Sequence, residues 1–463
     1  MQSFDFIIVG AGSAGCVLAN RLTADPQNRV LLLEAGGKDD RPLMAMPLAW
    51  RDTFMDPHVN WGFLSEPEPY ANDRQIPAPR GKVLGGSSSV NGMMYSRGYP
   101  VDYDHWRQLG LRGWSYAEVL PYFKKSENNW RGENQWHGTG GELSVSRHRP
   151  DKTICPALEK TARAMGYRIL EDFHAADAEG FSTPEFTVHQ GRRGSTSARF
   201  LHPVRHRPNL VVGTGALTHR VLIEKGRAIG VEYEQGGEVC RAMAEREVIL
   251  SSGAFNSPQL LLLSGVGPAD ELKDVGITPV SMMAKPWFPL WRKGAGHVLS
   301  CANVLLRPES RGEVTLRSSD PRDKPKIQFN LLKAQADRET FRRMVRFGRR
   351  FFETEPAASL VEGPVVPGAD VQTDEEIDAY VRRFIGTAMH PTSTCAMGST
   401  DDAVLDETCC VRGLGGLRVV DASVMPTIIG GNTNAPVIMI AEKAADMILG
   451  KAPLAPAALE QAA

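Results

Sequence analysis

Residues 4–15 read Phe4-Asp5-Phe6-Ile7-Ile8-Val9-Gly10-Ala11-Gly12-Ser13-Ala14-Gly15. The first six residues form a nearly continuous apolar run, which is typical of a buried parallel strand. The remainder matches G-x-G-x-x-G, and a helical pattern follows it. A second apolar run, Val30 to Leu33, ends on Glu34, nineteen positions after Gly15. This order of strand, turn, helix and strand predicts a dinucleotide-binding site; the alternative is a glycine-rich turn that merely joins strand to helix.

Each residue type in this motif has a physical purpose. Gly10 is expected to make the tight turn, Gly12 to let the backbone approach a pyrophosphate, and Gly15 to let the helix pack closely on the strand. Ser13 lies at the predicted helix N-terminus, which faces the anion. The carboxylate of Glu34 is placed to hold a ribose hydroxyl.

Composition limits the classes of function. The chain has 463 residues, of which 42% are hydrophobic and 23% charged, and its net charge is −1. This is ordinary for a soluble globular protein of two or three domains, and the charge gives no reason to expect nucleic acid or membrane as a partner. No apolar stretch is long enough to span a bilayer, and a strand begins too near Met1 for a signal peptide, so a cytoplasmic location is expected.

The cysteines indicate neither a metal site nor a disulfide framework. All seven are scattered and form no C-x-x-C pair. Such a pattern is typical of reduced thiols, so we expect no bound metal. A strained disulfide between Cys409 and Cys410 is the minor alternative.

A second glycine-rich stretch lies between Arg80 and Met93. It contains two glycines, three serines and an asparagine between Gly85 and Asn91. Many backbone N–H groups and hydroxyls in one loop favour the binding of a phosphate or a polar ring edge, whereas a flexible linker is the alternative. The predicted cofactor contacts of this loop are Gly85, Ser87, Asn91 and Gly92.

Further elements are predicted from periodicity and turn signals. Ser115 to Lys125 reads as a helix in which Pro121 is expected to cause a kink or an early end. Short apolar runs separated by glycines predict strands at 210–212, 221–223 and 228–231, and another buried strand precedes Gly253. The arginines at 192–193 are interpreted as a solvated face rather than an anion-binding patch.

Four separated motifs carry a family resemblance. Residues 81–104 and 253–267, His390-Pro391 and the segment Asn432-Thr433-Asn434-Ala435-Pro436 resemble, in order, signatures of the glucose–methanol–choline (GMC) oxidoreductases. The resemblance extends nearly from end to end. It implies an α/β fold with a Rossmann-like FAD-binding domain and an interleaved α+β substrate domain built on an antiparallel sheet. The implied division is 1–150, 200–280 and 400–453 for the first domain, and 151–199 and 281–399 for the second, apparently shortened one.

The resemblance also implies the cofactor, which the glycine motif alone does not decide. FAD is expected rather than NAD, with its adenine near Thr218 and its phosphates or ribityl chain near Asp421 and Ala422. Thr433 is a further expected cofactor contact. Some members attach the flavin through a histidine just before the asparagine of the glycine-rich loop. That position is Val90 here, so non-covalent FAD is expected.

The expected chemistry depends on two residues near the C-terminus. His390 matches the catalytic histidine of the family, and Asn432 matches the second catalytic position, while Asn434 is expected to cap the following helix. His390 would take the hydroxyl proton of a primary alcohol while hydride passes to flavin N5, and Asn432 would stabilise the developing alkoxide. An aldehyde would result, and oxygen or another acceptor would reoxidise the flavin. The alternatives are a non-redox lyase on the same scaffold and a shortened flavoprotein with little turnover.

The sequence departs from the family pattern at two places. Family sequence appears to be missing after Val280 and again between Gly296 and His297. Either these loops have been lost or the sequence omits them. If the loss is real, the substrate pocket should be unusually open.

Overall fold

The structure is a computed structural model that describes residues 2–147, 154–175, 179–268, 301–364 and 366–459. The strands of these residues, in chain order, are β1 (Gln2–Val9), β2 (Val30–Glu34), β3 (Met94–Tyr95), β4 (Glu127–Asn129), β5 (Leu143–Arg147), β6 (Glu185–Phe186), β7 (Val188–His189), β8 (Arg192–Arg193), β9 (Leu210–Thr214), β10 (Ala216–Glu224), β11 (Arg227–Gln235), β12 (Glu238–Leu250), β13 (Glu313–Thr315), β14 (Lys326–Gln328) and β15 (Leu417–Val419). The α-helices are Ser13–Leu22, Pro42–Ala45, Trp50–Met55, Pro100–Gln108, Tyr116–Ser126, Ile154–Ala164, Gly253–Leu263, Gln335–Glu353, Asp374–Phe384 and Asn434–Ile448.

The main sheet has seven strands in the order β10-β11-β12-β1-β2-β9, with β15 paired to β12. β1 is parallel to both β2 and β12, and its residues Phe6, Ile7 and Ile8 are completely buried. β10, β11 and β12 follow one another as antiparallel neighbours. The predicted buried strands are thus confirmed, because continuous apolar runs suit strands that are covered on both faces.

The carboxyl ends of four parallel strands meet at one edge of this sheet. Val9 pairs with Leu33 of β2 and with Leu250 of β12, and Leu250 pairs with Val419 of β15. The segments that leave these strands are therefore neighbours, although they come from both ends of the chain. In open α/β sheets, this edge is where ligands bind.

The helix Ser13–Leu22 packs against Asn434–Ile448, which in turn packs against Tyr116–Ser126. The last of these begins with a capping box, in which Ser115 N and Oγ donate to Glu118 Oε2 at 2.9 and 2.6 Å. The expectation of an early end at Pro121 was wrong, because the helix continues to Ser126. Proline leaves the carbonyl four residues earlier without a donor, and that carbonyl, on Ala117, accepts from Ala457 N at 2.8 Å.

A smaller sheet of four strands has the order β3-β6-β5-β4. β6 is antiparallel to β3 and β5, whereas β4 and β5 are parallel. The α/β class and the Rossmann-like main sheet are confirmed. The small sheet joins strands on both sides of residue 150, and the division into two domains stays a prediction.

Two segments outside the main sheet remain. The places where family sequence appears to be missing fall within 269–300, outside the described residues. The segment 42–79 contributes the buried side chains of Val59, Phe63 and Ile76. Among the helices that the structure describes, none is both long enough and apolar enough to cross a bilayer.

Candidate active site

A cavity of about 970 Å³ lies at the edge where the parallel strands end. This is near the upper end of the roughly 300–1,000 Å³ typical of ligand pockets. Widely separated parts of the chain form its wall, and they include residues from 9–14, 33–37, 79–82, 86–94, 215–218, 251–256, 388–391, 421–422 and 432–434. The cavity therefore brings the glycine motif, the serine-rich loop and the C-terminal motifs to one place.

The three glycines of the first motif differ in what surrounds them. Gly10 has φ +99°, and a Cβ there would lie 2.5 Å from the carbonyl oxygen of Ser251. A Cβ on Gly15 would lie 1.9 Å from the carbonyl oxygen of Gly10, so this glycine lets the helix approach the turn. A Cβ on Gly12 would meet only Ser251 O, at 3.8 Å, and Gly12 lines the cavity. Protein packing thus requires glycine at 10 and 15, whereas the space beside Gly12 is open to the cavity.

Glu34 lies at the end of β2 and on the cavity wall. Its Oε2 accepts from Ala11 N at 2.9 Å and its Oε1 accepts from Gly36 N at 2.8 Å. Burial raises the pKa of this carboxyl to about 7, although these N–H groups oppose the rise. Each oxygen keeps a free lone pair, so the position fits the predicted bond to a ribose hydroxyl.

The serine-rich loop forms another part of the wall. Its residues 86–89 make a single 3-10 turn, and the predicted cofactor contacts Ser87, Asn91 and Gly92 line the cavity. Gly85 does not line it. Instead, Gly85 N donates to Ala11 O at 2.7 Å, and this bond joins the loop to the first glycine turn. Gly85 has the left-handed backbone conformation, with φ +84°. Val90 is buried and also lines the cavity.

Arg193 forms hydrogen bonds with the serine-rich loop. Its Nη1 donates to Asn91 O at 2.6 Å and to Asn91 Oδ1 at 3.0 Å, and its Nε donates to Met44 O at 2.9 Å. Only 5% of Arg193 is exposed, so the solvated-face interpretation was wrong for this residue, although Arg192 is exposed. Burial lowers the pKa of Arg193 to about 10. Nothing in the pattern of two adjacent arginines distinguishes the buried one.

Polar groups without protein partners lie around the cavity wall. Thr218 Oγ1, Ser251 Oγ and Asn256 Oδ1 are buried and have no hydrogen-bond partner among the described residues, and all three residues line the cavity. Buried polar groups are normally satisfied, so a polar ligand or water is expected beside them. Thr218 was predicted from the family resemblance, whereas Asn256 was not predicted as a site residue.

The remaining predicted cofactor residues come together at the helix Asn434–Ile448. Asp421, Ala422, Thr433 and Ser13 all line the cavity. Both oxygens of Asp421 are engaged: Oδ2 accepts from Gly253 N and Ser257 Oγ at 2.9 and 2.6 Å, and Oδ1 accepts from Ser423. Asp421 therefore fixes the turn after β12.

The assignment of helix capping to Asn434 was wrong. Thr433 is the N-cap of the last helix, and Asn434 is its first residue. The side-chain oxygen Oδ1 of Asn434 accepts from Ser13 Oγ at 2.8 Å. This bond ties the start of the last helix to the start of the first, because both helices begin at the same edge of the sheet.

His390 and Asn432 lie side by side on the cavity wall. Asn432 Nδ2 lies 3.1 Å from His390 Nε2, a distance at which the amide donates to an unprotonated ring nitrogen. Burial, and secondarily the charge of Arg80, lower the pKa of His390 to about 4. The imidazole is therefore neutral at physiological pH and has a lone pair to accept a proton.

Several contacts hold the irregular segment that carries His390. Arg80 Nη2 donates to Met389 O at 2.6 Å, and Thr394 Oγ1 donates to Ala254 O at 2.7 Å. The second bond exists because Pro258, four residues after Ala254 in the helix Gly253–Leu263, has no N–H to occupy that carbonyl. Arg80 and Thr394 were not predicted, since such contacts depend on the tertiary fold.

Comparisons with known proteins identify the family. Residues 4–284 and 308–441 match two family models, both described as GMC oxidoreductase. These matches cover well over half of the chain, which belongs to the GMC oxidoreductase family.

The most similar relatives named here are bacterial enzymes. The chain is 41% identical to the oxygen-dependent choline dehydrogenase of Sinorhizobium fredii and 40% identical to that of Rhizobium meliloti. Each match covers 97% of this chain and 96% of the relative. The first alignment spans 533 positions, 70 more than the 463 residues of the chain, so at least that many positions have no counterpart here.

Solved structures support the same assignment. Pyridoxine 4-oxidase from Mesorbium loti superposes with a TM-score of 0.87 at 29% identity, covering 97% of this chain and all of that one. Formate oxidase from Aspergillus oryzae superposes with a TM-score of 0.86 at 26% identity, covering 97% and 98%. The protein is an FAD-dependent oxidoreductase that acts on CH–OH groups. None of these findings supports the lyase alternative or the alternative with little turnover.

The cavity fits the FAD of this family. Gly12 leaves room for a ligand to approach the backbone, a helix begins at Ser13, and Glu34 ends the second strand. These are the features that a dinucleotide needs for its pyrophosphate and ribose. Which side chains contact the cofactor stays a prediction.

Proposed function

We propose that this protein oxidises a primary alcohol to an aldehyde, with His390 as the general base and Asn432 as its hydrogen-bonding partner. The observation that carries the proposal is the 3.1 Å approach of Asn432 Nδ2 to His390 Nε2 on the cavity wall. A neutral imidazole and an amide donor side by side are suited to one hydroxyl group, which both donates and accepts.

The two side chains have complementary roles towards an alcohol. A hydroxyl can replace Asn432 as the donor to the single lone pair of His390 Nε2, and it can accept in turn from Asn432 Nδ2. His390 then takes the proton, while the amide stabilises the negative charge that develops on the oxygen. FAD, when bound, supplies the flavin N5 that accepts the hydride from the carbon.

We propose that FAD is held without a covalent bond. Val90, the residue at the position where some members attach the flavin, is aliphatic and has no nucleophilic atom. The proposed cofactor contacts are those predicted above, with Gly85 acting on the loop rather than on the ligand, since it does not line the cavity. The division into an FAD-binding and a shortened substrate domain is retained as part of this proposal.

The alcohol and the electron acceptor are proposed only as classes. Relatives named as choline dehydrogenases make choline the first substrate to test, and the similarity to a pyridoxine oxidase makes pyridoxine the second. Oxygen is the first acceptor to test, because the same relatives are named oxygen-dependent.

The test is the rate of flavin reduction by an alcohol under anaerobic conditions, with the aldehyde measured as product. His390→Ala should lower this rate by about 10²–10⁴-fold, the usual contribution of a general base, without releasing FAD. His58→Ala is the matched control, since His58 lines the same cavity but is not part of the hydrogen-bonded pair. Equal reduction rates in wild type and His390→Ala would disprove the assignment of the base.

A further inference from the structure

Arg80 is an unusual cation in the cavity wall. It lines the cavity together with His390, and it makes no ion pair with a carboxylate of the described residues. Its Nε is shielded from solvent and has no hydrogen-bond partner in the described part of the chain. Burial lowers the pKa of the guanidinium to about 10, so it is still charged at neutral pH.

The backbone of Arg80 is fixed on both sides. Arg80 N donates to Asn60 Oδ1 at 3.2 Å, and Trp61 N donates to Arg80 O at 2.9 Å. The side chain of Arg80 therefore extends from a backbone that two hydrogen bonds hold in place.

Within the described part of the chain, the Arg80 side chain makes one hydrogen bond, and its acceptor belongs to the residue before His390. Nη2 donates to Met389 O at 2.6 Å. Met389 has φ +63°, the left-handed region that residues with a side chain rarely adopt. Such a conformation persists only where surrounding contacts enforce it, and this bond is one of those contacts.

The positive charge of Arg80 also acts on the imidazole. Burial is the larger cause of the lowered pKa of His390, and Arg80 is the charged group that adds to it. The other charged side chains on the cavity wall are Glu34, Lys82, Arg322, Asp323, Lys324 and Asp421. Arg80 also reaches the segment that carries His390, through its bond to Met389 O.

We propose that Arg80 is the positioning residue of His390: its hydrogen bond to Met389 O sets the imidazole beside Asn432, and its positive charge would repel a protonated imidazole. The functional consequence rests on the proposed role of His390 as the base. The geometric part does not, because it concerns the orientation and protonation of His390 whatever His390 does.

Three variants separate the hydrogen bond from the charge. Arg80→Lys keeps the charge, Arg80→Gln keeps an N–H donor without charge, and Arg80→Met keeps neither. The first readout is the NMR titration of His390 in the FAD-bound protein, with its resonance assigned by its loss in His390→Ala. The second is the pH profile of flavin reduction, whose acid limb falls as the base becomes protonated.

The expected results follow from the sign of the electrostatic effect. Removing the positive charge makes protonation of His390 easier, so its titration and the acid limb should both move up by about one pH unit in Arg80→Met and Arg80→Gln. Arg80→Lys should titrate as wild type does. On the high-pH plateau, Arg80→Met should be slower than Arg80→Gln by about tenfold, because only the second retains a donor for Met389 O.

Folding and FAD absorbance are measured for each variant, and one further variant serves as a control. Lys82→Met removes another cation of the same cavity wall and should leave the His390 titration unchanged. The proposal is overturned if His390 titrates identically in wild type and in a folded Arg80→Met or Arg80→Gln protein. If the titration shifts while His390→Ala still reduces flavin normally, the proposal for Arg80 stands and the proposed function of His390 fails.

Discussion

The two ends of the cavity are built in different ways. The part of the wall that we propose holds the nucleotide, here called the nucleotide end, takes much of its shape from backbone groups and glycines within residues 10–37. The other end, here called the proposed catalytic end, places His390 beside Asn432, 42 residues away along the chain. Both residues lie on segments without regular structure. One site is thus defined by backbone geometry, and the other by side chains that distant contacts must hold.

This difference determines how each end should respond to mutation. A backbone-defined site depends on the absence of Cβ atoms, so a single methyl group can abolish it. A site defined by side chains depends on several hydrogen bonds, each of which contributes about 0.5–1.5 kcal/mol to stability. The nucleotide end should therefore fail abruptly, whereas the proposed catalytic end should weaken in steps.

The largest effect is expected from Gly15→Ala. The new Cβ would lie 1.9 Å from Gly10 O, so the helix must move away from the turn. We expect the apoprotein to lose about 3 kcal/mol of unfolding free energy, the scale of overpacking, and to bind FAD poorly. Thermal unfolding with and without FAD measures both effects.

Gly12→Ala is the matched control for Gly15→Ala. Its Cβ would have no protein atom closer than Ser251 O at 3.8 Å. The apoprotein should therefore unfold as wild type does, while FAD affinity falls. Equal destabilisation of the two apoproteins would contradict the separate roles of these glycines.

The strands and the glycine turn of residues 2–34 could be predicted well because the information that specifies them is local. The buried strands β1 and β2, the glycine turn and Glu34 follow one another within 33 residues, Gln2 to Glu34, and their spacing alone defines the arrangement. His390 and Asn432 were found only through the family resemblance, since nothing near either residue indicates that they meet.

The errors also have physical causes. Asparagine is a residue type suited to helix capping, but the side chain of Asn434 instead accepts a hydrogen bond from Ser13, near the other end of the chain. Arg193 looked solvated because burial of a cation is rare, yet its Nε and Nη1 donate to acceptors on Met44 and Asn91, while its Nη2 has no partner among the described residues. In both cases the deciding partner lies at least 100 residues away.

The next largest effect should come from the contact of Arg193 with the serine-rich loop. Arg193→Met removes the donors to Met44 O and Asn91 O, and we expect a loss of about 2 kcal/mol in the unfolding free energy of the apoprotein. FAD affinity should fall by about tenfold, because a looser loop must be ordered on binding.

The control for Arg193→Met is its neighbour. Arg192 is exposed, so Arg192→Met should change neither quantity measurably. Fluorescence titration of the apoproteins with FAD gives the affinities. If the two methionine variants bind FAD equally well, Arg193 does not organise the loop.

The smallest effect is expected at Thr394, where the segment that carries His390 meets the helix Gly253–Leu263. Thr394→Val removes the donor to Ala254 O and should cost about 1 kcal/mol, with a fall in flavin reduction of less than tenfold, whereas Thr394→Ser should resemble wild type. Pro258→Ala, added to Thr394→Val, restores an N–H that can reach the same carbonyl. The double variant should therefore recover part of the lost stability but not the lost rate, since the helix is repaired while the segment carrying His390 stays untethered. Recovery of both would mean that Thr394 serves only the helix, and the contrast between a local and a distantly held site would then not extend to this residue.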